Sequence, residues 1–335
     1  MLQAVLLFAL GLVLLIKGGD WFVDGATGLA NRFHIPKILI GATVVSIGTT
    51  LPEVMVSATS AVSGHGEIAY GNAIGSVICN VALIAAITMA VRPSIVDRKS
   101  MKTPVIFFYI AAFIYLINAY VFQHFSRITG AVLLAVFVIY MVVISKQALG
   151  ARADHLESAN GPENDGEITD ASQEPLADSS LIKELTLLIV GAALIAIGAD
   201  LLVDNGTIIA AGLGVPESVI ALTFVALGTS LPELITAITS LLKGQSDLSV
   251  GNIIGANLFN LVLVSGVSPL LAPFDIPRNS TLMGINTSLL VELPLMLFVM
   301  SFLAIPALIR GKLSRTQGII LLIIYFGFCA FQFMI

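Results

Sequence analysis

Apolar residues run through this chain in long unbroken stretches, parted by short polar breaks and by one polar segment near the middle. The stretches cover about 2–28, 36–62, 68–91, 103–122 and 127–145, then about 181–209, 216–242, 248–272, 280–309 and 314–335. A helix needs roughly 20 apolar residues to cross a bilayer. The pattern therefore predicts an all-α polytopic membrane protein with ten transmembrane helices, five on each side of the polar segment. Continuous runs, rather than short alternating ones, exclude a transmembrane β-barrel. The longest runs must tilt or extend past the hydrocarbon. The first run lacks a basic leader and a small-residue cleavage site, so it reads as a retained helix rather than a signal peptide.

The two sets of five share one sequence pattern. Residues 41–84 align with 221–264 at an offset of 180 without a gap, with 16 identities in 44 positions. Gly18, Asp20, Val23, Asp24 and Pro36 match Gly198, Asp200, Val203, Asp204 and Pro216 at the same offset. The expected units are a first five-helix repeat over 1–145, a linker over 146–180 and a second five-helix repeat over 181–335. An odd number of crossings sends the second copy into the membrane from the opposite side. Such inverted-topology repeats are the arrangement of many secondary transporters.

Composition agrees: 57% of residues are hydrophobic and 11% charged, against roughly 25% charged in a soluble domain. Charge also orients the chain. With the linker on the cytoplasmic side, 13 of the 16 basic residues lie in cytoplasmic loops and helix ends, Lys17 lies within the first run, and only Arg127 and Arg278 lie outside. That bias is the positive-inside rule, and it predicts a multi-pass plasma (bacterial inner) membrane protein with both termini outside. The linker carries Asp154, Glu157, Glu163, Asp165, Glu167, Asp170, Glu174 and Asp178. It reads as a largely disordered acidic connector without the 12-residue pattern of an EF-hand. Cys79 and Cys329 form neither a disulfide framework nor a metal-ligand spacing.

The duplicated stretch carries the chemistry. Its first part reads Gly48-Thr49-Thr50-Leu51-Pro52-Glu53 and again Gly228-Thr229-Ser230-Leu231-Pro232-Glu233. A proline inside a helix removes a donor and clashes with the carbonyl four residues back, here that of Gly48 or Gly228. Carbonyls around 46–49 and 226–229 are thereby freed at membrane depth, which is tolerated only inside protein or along a polar cavity. The second part places Asn72, Ser76 and Asn80 on one helix face, with Asn252, Ala256 and Asn260 as counterparts, and glycines four apart that permit close helix approach. The amides of Asn72 and Asn252 read either as ligands or as helix-packing groups.

The sum is a site of carboxylates, carbonyls, hydroxyls and amides, which suits hard cations such as Ca²⁺ and Na⁺. Ionisable residues inside a membrane are functional by default. Two glutamates match one Ca²⁺, attract two or three Na⁺, or are satisfied by protons. Competition among these ions for one pair of carboxylates is the physical basis of antiport. Asp20, Asp24, Asp200 and Asp204 read as capping or pairing groups, or as an ion-access vestibule. Glu292 reads as a local structural acid.

The paired motifs resemble the cation/calcium exchanger superfamily, in its bacterial sodium/calcium antiporter branch, over nearly the whole chain except the linker. The resemblance implies a central diamond of four sites. In it Glu53 and Glu233 bind Ca²⁺ with the carbonyls of Thr49 and Thr229. Flanking Na⁺ sites use the Ser46 and Ala226 carbonyls, Thr50, Ser230 and Ser76, and Asn80 and Asn260 line the middle position. It also implies that the first and sixth helices slide against the other eight. Ala256 stands where many relatives have serine and Asn260 where some have aspartate, which leaves room for H⁺ coupling.

The expected function is therefore a secondary antiporter that moves Ca²⁺ against Na⁺. It is not an enzyme, has no cofactor, and shows no nucleotide-binding loop for an ATP drive. Its expected partners are Ca²⁺, Na⁺ and the lipid bilayer, with no nucleic acid. The rival readings are an H⁺/Ca²⁺ antiporter of the same fold, a passive cation channel and an ion sensor without transport.

Overall fold

The computed structural model describes residues 2–159, 181–213, 228–277, 281–282 and 284–332. Its helices are α1 (Leu2–Phe33), α2 (Lys37–Val62), α3 (Gly66–Val91), α4 (Arg98–Phe122), α5 (Arg127–Ala159), α6 (Leu181–Gly212), α7 (Leu231–Leu242), α8 (Ser246–Leu271), α9 (Ser288–Arg310) and α10 (Arg315–Gln332). Among the described residues nine are long and apolar enough to cross a membrane, and α7 is the shorter tenth. The upstream part of the seventh predicted span, residues 214–227 with Ala226, lies outside the described residues.

The first helices of the two halves, α1 and α6, run antiparallel. A Cβ built on Gly11 would sit 2.9 Å from the Gly198 carbonyl oxygen, and one on Gly18 would sit 2.9 Å from that of Gly191. Residue numbers rise on one helix as they fall on the other, so α1 and α6 cross the membrane in opposite directions. Glycines every seventh residue, at 11, 18 and 25 on α1 and at 191 and 198 on α6, let the two backbones touch. Small residues of this kind drive close packing where lipid removes any hydrophobic advantage of association. The same device seats α2 on α8: a Cβ on Gly251 would meet the Ile38 carbonyl oxygen at 2.2 Å. The matching partners of Gly71 and Gly75 in the first half would fall at 218–226, outside the described residues.

The loops sort to two ends. At one end Ser94–Ile95 pairs with Lys312–Leu313, Arg32 bonds Glu184 at 2.8 Å, and Lys243 reaches Asp24 at 2.8 Å. At the other end His124–Phe125 pairs with Phe274–Asp275, and His124 Nδ1 lies 2.7 Å from Asp275.

Four boundaries differ from the sequence reading by five residues or more, the first being α1, which runs on to Phe33 rather than ending near 28. Helix α5 runs on to Ala159, through the first part of the expected linker, because Lys146-Gln-Ala-Leu-Gly-Ala-Arg-Ala is mostly strong helix formers. Residues 160–180 lie outside the described residues. The ninth helix starts at Ser288 rather than near 280, because Thr281–Leu282 pairs with Ile285–Asn286 in a short hairpin with Gly284 at φ 78°. Helix α4 begins earlier than expected, at Arg98, where the Asp97 carboxylate accepts from the backbone N–H groups of Lys99 and Ser100.

Candidate ion-binding site

Helices α2, α3, α7 and α8 bring the two motif copies together. Glu53 and Glu233 are both fully buried, and their carboxyl groups lie within each other's electrostatic reach. Thr49 and Thr50 flank the Glu233 carboxyl. Among the described residues none of the four carboxyl oxygens has a well-formed hydrogen bond. Thr50 Oγ1 and both polar side-chain atoms of Asn80 and of Asn260 are likewise buried without a partner among the described residues. Each such group costs on the order of 1–3 kcal/mol if nothing satisfies it. A buried carboxylate needs a cation or a proton.

The backbone is irregular at this depth. Asn80 and Asn260 each open a π-helical turn, Asn80–Ala85 and Asn260–Val264, at equivalent positions. Such turns recur at functional sites, and residue pattern alone did not reveal them. The proline kinks differ between the halves. In the first half the α-helical part Ser46–Val62 continues through Pro52, and the widened turn lies upstream at Gly41–Val45. In the second half Gly228 is helical, Thr229 and Ser230 form a turn, and the described helix resumes at Leu231 with Ser230 as its N-cap.

The amides of Asn72 and Asn252 act reciprocally. Thr49 Oγ1 donates to Asn252 Oδ1 at 3.2 Å, and Thr229 Oγ1 donates to Asn72 Oδ1 at 3.3 Å. Asn72 Nδ2 donates to Ser57 Oγ at 2.9 Å and to the Glu53 carbonyl at 3.3 Å. Asn252 Nδ2 has no partner among the described residues, and Ala237 stands where Ser57 stands in the first half. Both amides tie the glutamate-bearing segments to the neighbouring repeat's helices. The Ser46 hydroxyl lies 2.7 Å from the Gly41 carbonyl, 3.0 Å from that of Asn252 and 3.2 Å from Asn252 Oδ1, three acceptors for one proton. Ser76 and Ser230 are buried, Thr229 is half-buried, and Ala256 is fully buried without a hydroxyl. Among the described residues no three His, Cys, Asp or Glu side chains gather as a metal cluster; the candidate site is two carboxylates among neutral oxygens.

Sequence reasoning left several polar groups out. Thr236 and Ser240 follow Glu233 on one face of α7, both fully buried and without a partner among the described residues. Their spacing from Glu233, three and seven residues, was the available signal. Cys79, just before Asn80, lies beside Ser230. Asp20 and Asp24 pair with Lys243, and Asp200 and Asp204 line a mainly apolar cavity of about 890 Å³ between α2 and α6. This crevice also touches Gly48, Pro52, Thr229 and Pro232, the backbone beside both glutamates. Glu292 accepts from Ser288 and from Gln332 away from the motif residues.

A bundle of membrane-spanning helices built from two inverted repeats has the architecture of a secondary transporter. The family is narrower. The profile of the "Sodium/calcium exchanger protein" family matches residues 3–146 and 183–334, and the chain belongs to that family. The inner membrane protein YrbG of Escherichia coli is 36% identical over 297 residues, 88% of this chain and 87% of its own length. The sodium/calcium exchanger MaX1 of Methanosarcina acetivorans is 29% identical over 352 residues, 98% of each chain. A solved structure of the sodium-calcium exchanger NCX_Mj, soaked with Na⁺ and Sr²⁺, superposes with a TM-score of 0.75 at 32% identity, covering 97% of each chain. By family the protein is a cation/Ca²⁺ antiporter of the membrane, a transporter and not an enzyme.

Proposed function

We propose that this antiporter exchanges Ca²⁺ for Na⁺ across the inner membrane, with both ions competing for the space between Glu53 and Glu233. The observation that carries the reading is the pair of buried carboxyl groups with no well-formed hydrogen bond among the described residues, beside oxygens of Thr50, Asn80 and Asn260 that likewise have none there. Two carboxylates neutralise one Ca²⁺, and the neutral oxygens replace part of its hydration shell. The same carboxylates accept Na⁺ when Ca²⁺ leaves, so occupancy by one ion excludes the other. Thr49, Thr229, Ser46, Ser76 and Ser230 supply further oxygens, while Asn72 and Asn252 hold the two repeats in register. The crevice beside Asp200 and Asp204 is the approach from one side. The positive-inside bias supports a cytoplasmic linker, with that crevice opening outward.

The second reading is H⁺/Ca²⁺ exchange, favoured by the buried Ala256, which denies one flank a hydroxyl that Na⁺ would use. Calcium uptake into sealed proteoliposomes tests both. Uptake is expected to require an opposed Na⁺ gradient and to fall to background in Glu53→Gln and in Glu233→Gln. Uptake driven by a pH jump without Na⁺ assigns H⁺ coupling instead. Gradient-independent flux assigns a channel, and Ca²⁺ binding without flux assigns a sensor.

A further inference from the structure

The two ends of the α1–α6 pair are held differently, and one lysine makes the difference. Lys243 closes α7 on the turn after Leu242. Its Nζ donates to Asp24 Oδ1 at 2.8 Å and to the Asp20 carbonyl at 2.9 Å, and lies 3.5 Å from Asp20 Oδ1. Beneath this contact α1 is pressed onto α7: a Cβ on Gly19 would sit 2.8 Å from Ile235 Cγ2 and 2.8 Å from Thr239 Oγ1. In the other repeat the equivalent helices, α6 and α2, are parted by the crevice of about 890 Å³. Asp200 and Asp204 line it, and Ser63 stands at the position equivalent to Lys243. Helices α1 and α6 are themselves one body, joined backbone to backbone at their glycines and by Arg32–Glu184 at 2.8 Å.

We propose that Lys243 is a latch. It fastens the α1–α6 pair to α7 at one end, keeps that end shut, and so favours the state in which the crevice beside Asp200 is open. In an inverted repeat, alternation exchanges the two arrangements: α6 closes on α2 while α1 leaves α7. The first motion brings Asp200 and Asp204 toward Ser63, where no lysine waits. The second breaks the contacts of Lys243 with Asp20 and Asp24. The two access states are therefore unequal, and the lysine sets the direction of the bias. This inference rests on alternation between two access states, as the antiport reading requires, but not on which ion drives it.

The test measures how often the latched face opens. In a background with Cys79 and Cys329 replaced by serine, a reporter cysteine is placed either by Thr239→Cys, under Gly19, or by Met55→Cys, on the crevice wall. The purified full chain in lipid nanodiscs is labelled with a charged thiosulfonate reagent. A half-exposed ion pair shifts a two-state ratio by about threefold. Lys243→Ala is therefore expected to speed labelling at Thr239→Cys by about threefold or more without speeding it at Met55→Cys, and Lys243→Arg is expected to keep it slow. Unchanged labelling at Thr239→Cys overturns the latch. So does faster labelling at both reporters, which would mean general loosening. Labelling needs no flux, so loss of the Ca²⁺/Na⁺ reading in the vesicle assay would leave this result standing, and the reverse.

Discussion

The seam between α1 and α6 has no room for a methyl group, and Gly191→Ala tests how much depends on it. A Cβ on Gly191 would lie 2.5 Å from the Phe22 nitrogen, 2.8 Å from its Cα and 2.9 Å from the Gly18 oxygen. Ordinary contact begins at 3.4 Å, so the two backbones must part by 3.4 − 2.5 = 0.9 Å. No side chain can rotate away, because the atoms struck are main chain. A radial gap of that size forfeits a quarter to a half of each dispersion contact around the seam. Overpacking typically costs about 1–3 kcal/mol, and a clash with rigid backbone belongs at the upper end, about 3 kcal/mol. Thermal unfolding in detergent, followed by loss of the monodisperse species, measures it. Gly18→Ala strikes the Gly191 oxygen at 2.9 Å, so one separation relieves both substitutions. The double variant should therefore cost clearly less than the sum of the singles. Gly327→Ala, with no described atom within 4 Å, serves as the neutral control. A Gly191→Ala protein within about 0.5 kcal/mol of the parent, or strict additivity in the double variant, would refute the argument.

Two further changes follow from single contacts. Ala237→Ser puts a hydroxyl where Ser57 serves Asn72, giving the orphaned Asn252 Nδ2 a partner. It should stabilise the protein by about 0.5–1.5 kcal/mol, and an unchanged or lower unfolding midpoint would count against the pseudo-symmetric reading. Asp97→Ala removes the N-cap of α4 and should cost about 1 kcal/mol at neutral pH. Burial opposes ionisation of Asp97, but hydrogen bonds from Ser100 and Lys99 outweigh it and hold the carboxyl below its usual range. A depressed folded-state value means that this stability is present above the unfolded carboxylate range, about pH 4, and is lost as pH falls through the folded value. The gap between parent and Asp97→Ala, followed by chemical denaturation, should therefore hold from pH 7 to about 5 and shrink below about 4. A gap independent of pH would exclude the charged cap.

The membrane class and the inversion were legible because both depend on counts: apolar runs of spanning length, and an odd number of them on each side of the linker. Glu53 and Glu233 were legible for a similar reason, since a carboxylate inside an apolar run is costly and here occurs twice in register. What remained hidden depends on partners far apart in sequence. The glycines at 11, 18 and 25 are visible at a spacing of seven, but nothing local says that they meet α6. Lys243 and Asp24 are 219 residues apart, so no local pattern joins them. Hydropathy also cannot separate the hairpin at 281–286 from the helix after it, and acidic composition hides the helix-forming residues that carry α5 to Ala159.

The useful information lies in where the repeats disagree. Perfect inverted symmetry would make the two access states mirror images of equal free energy. Each substitution that breaks the symmetry tilts that balance. Ser57 against Ala237 leaves Asn72 fully engaged and Asn252 half satisfied, so the first motif is held more firmly to its neighbours than the second. Lys243 against Ser63 ties the α1–α6 pair on its α1–α7 side and leaves its α6–α2 side without such a tie. Both act in one direction: they hold the α1–α7 end and the first repeat's amide contacts together, and leave α6 as the helix with the open crevice at its side. If that is the logic, exchanging the asymmetry should exchange the state. Ser63→Lys combined with Lys243→Ser is expected to slow thiol labelling at Met55→Cys and speed it at Thr239→Cys relative to the parent. Labelling that keeps the parent's order would mean that the bias comes from packing rather than from these charges.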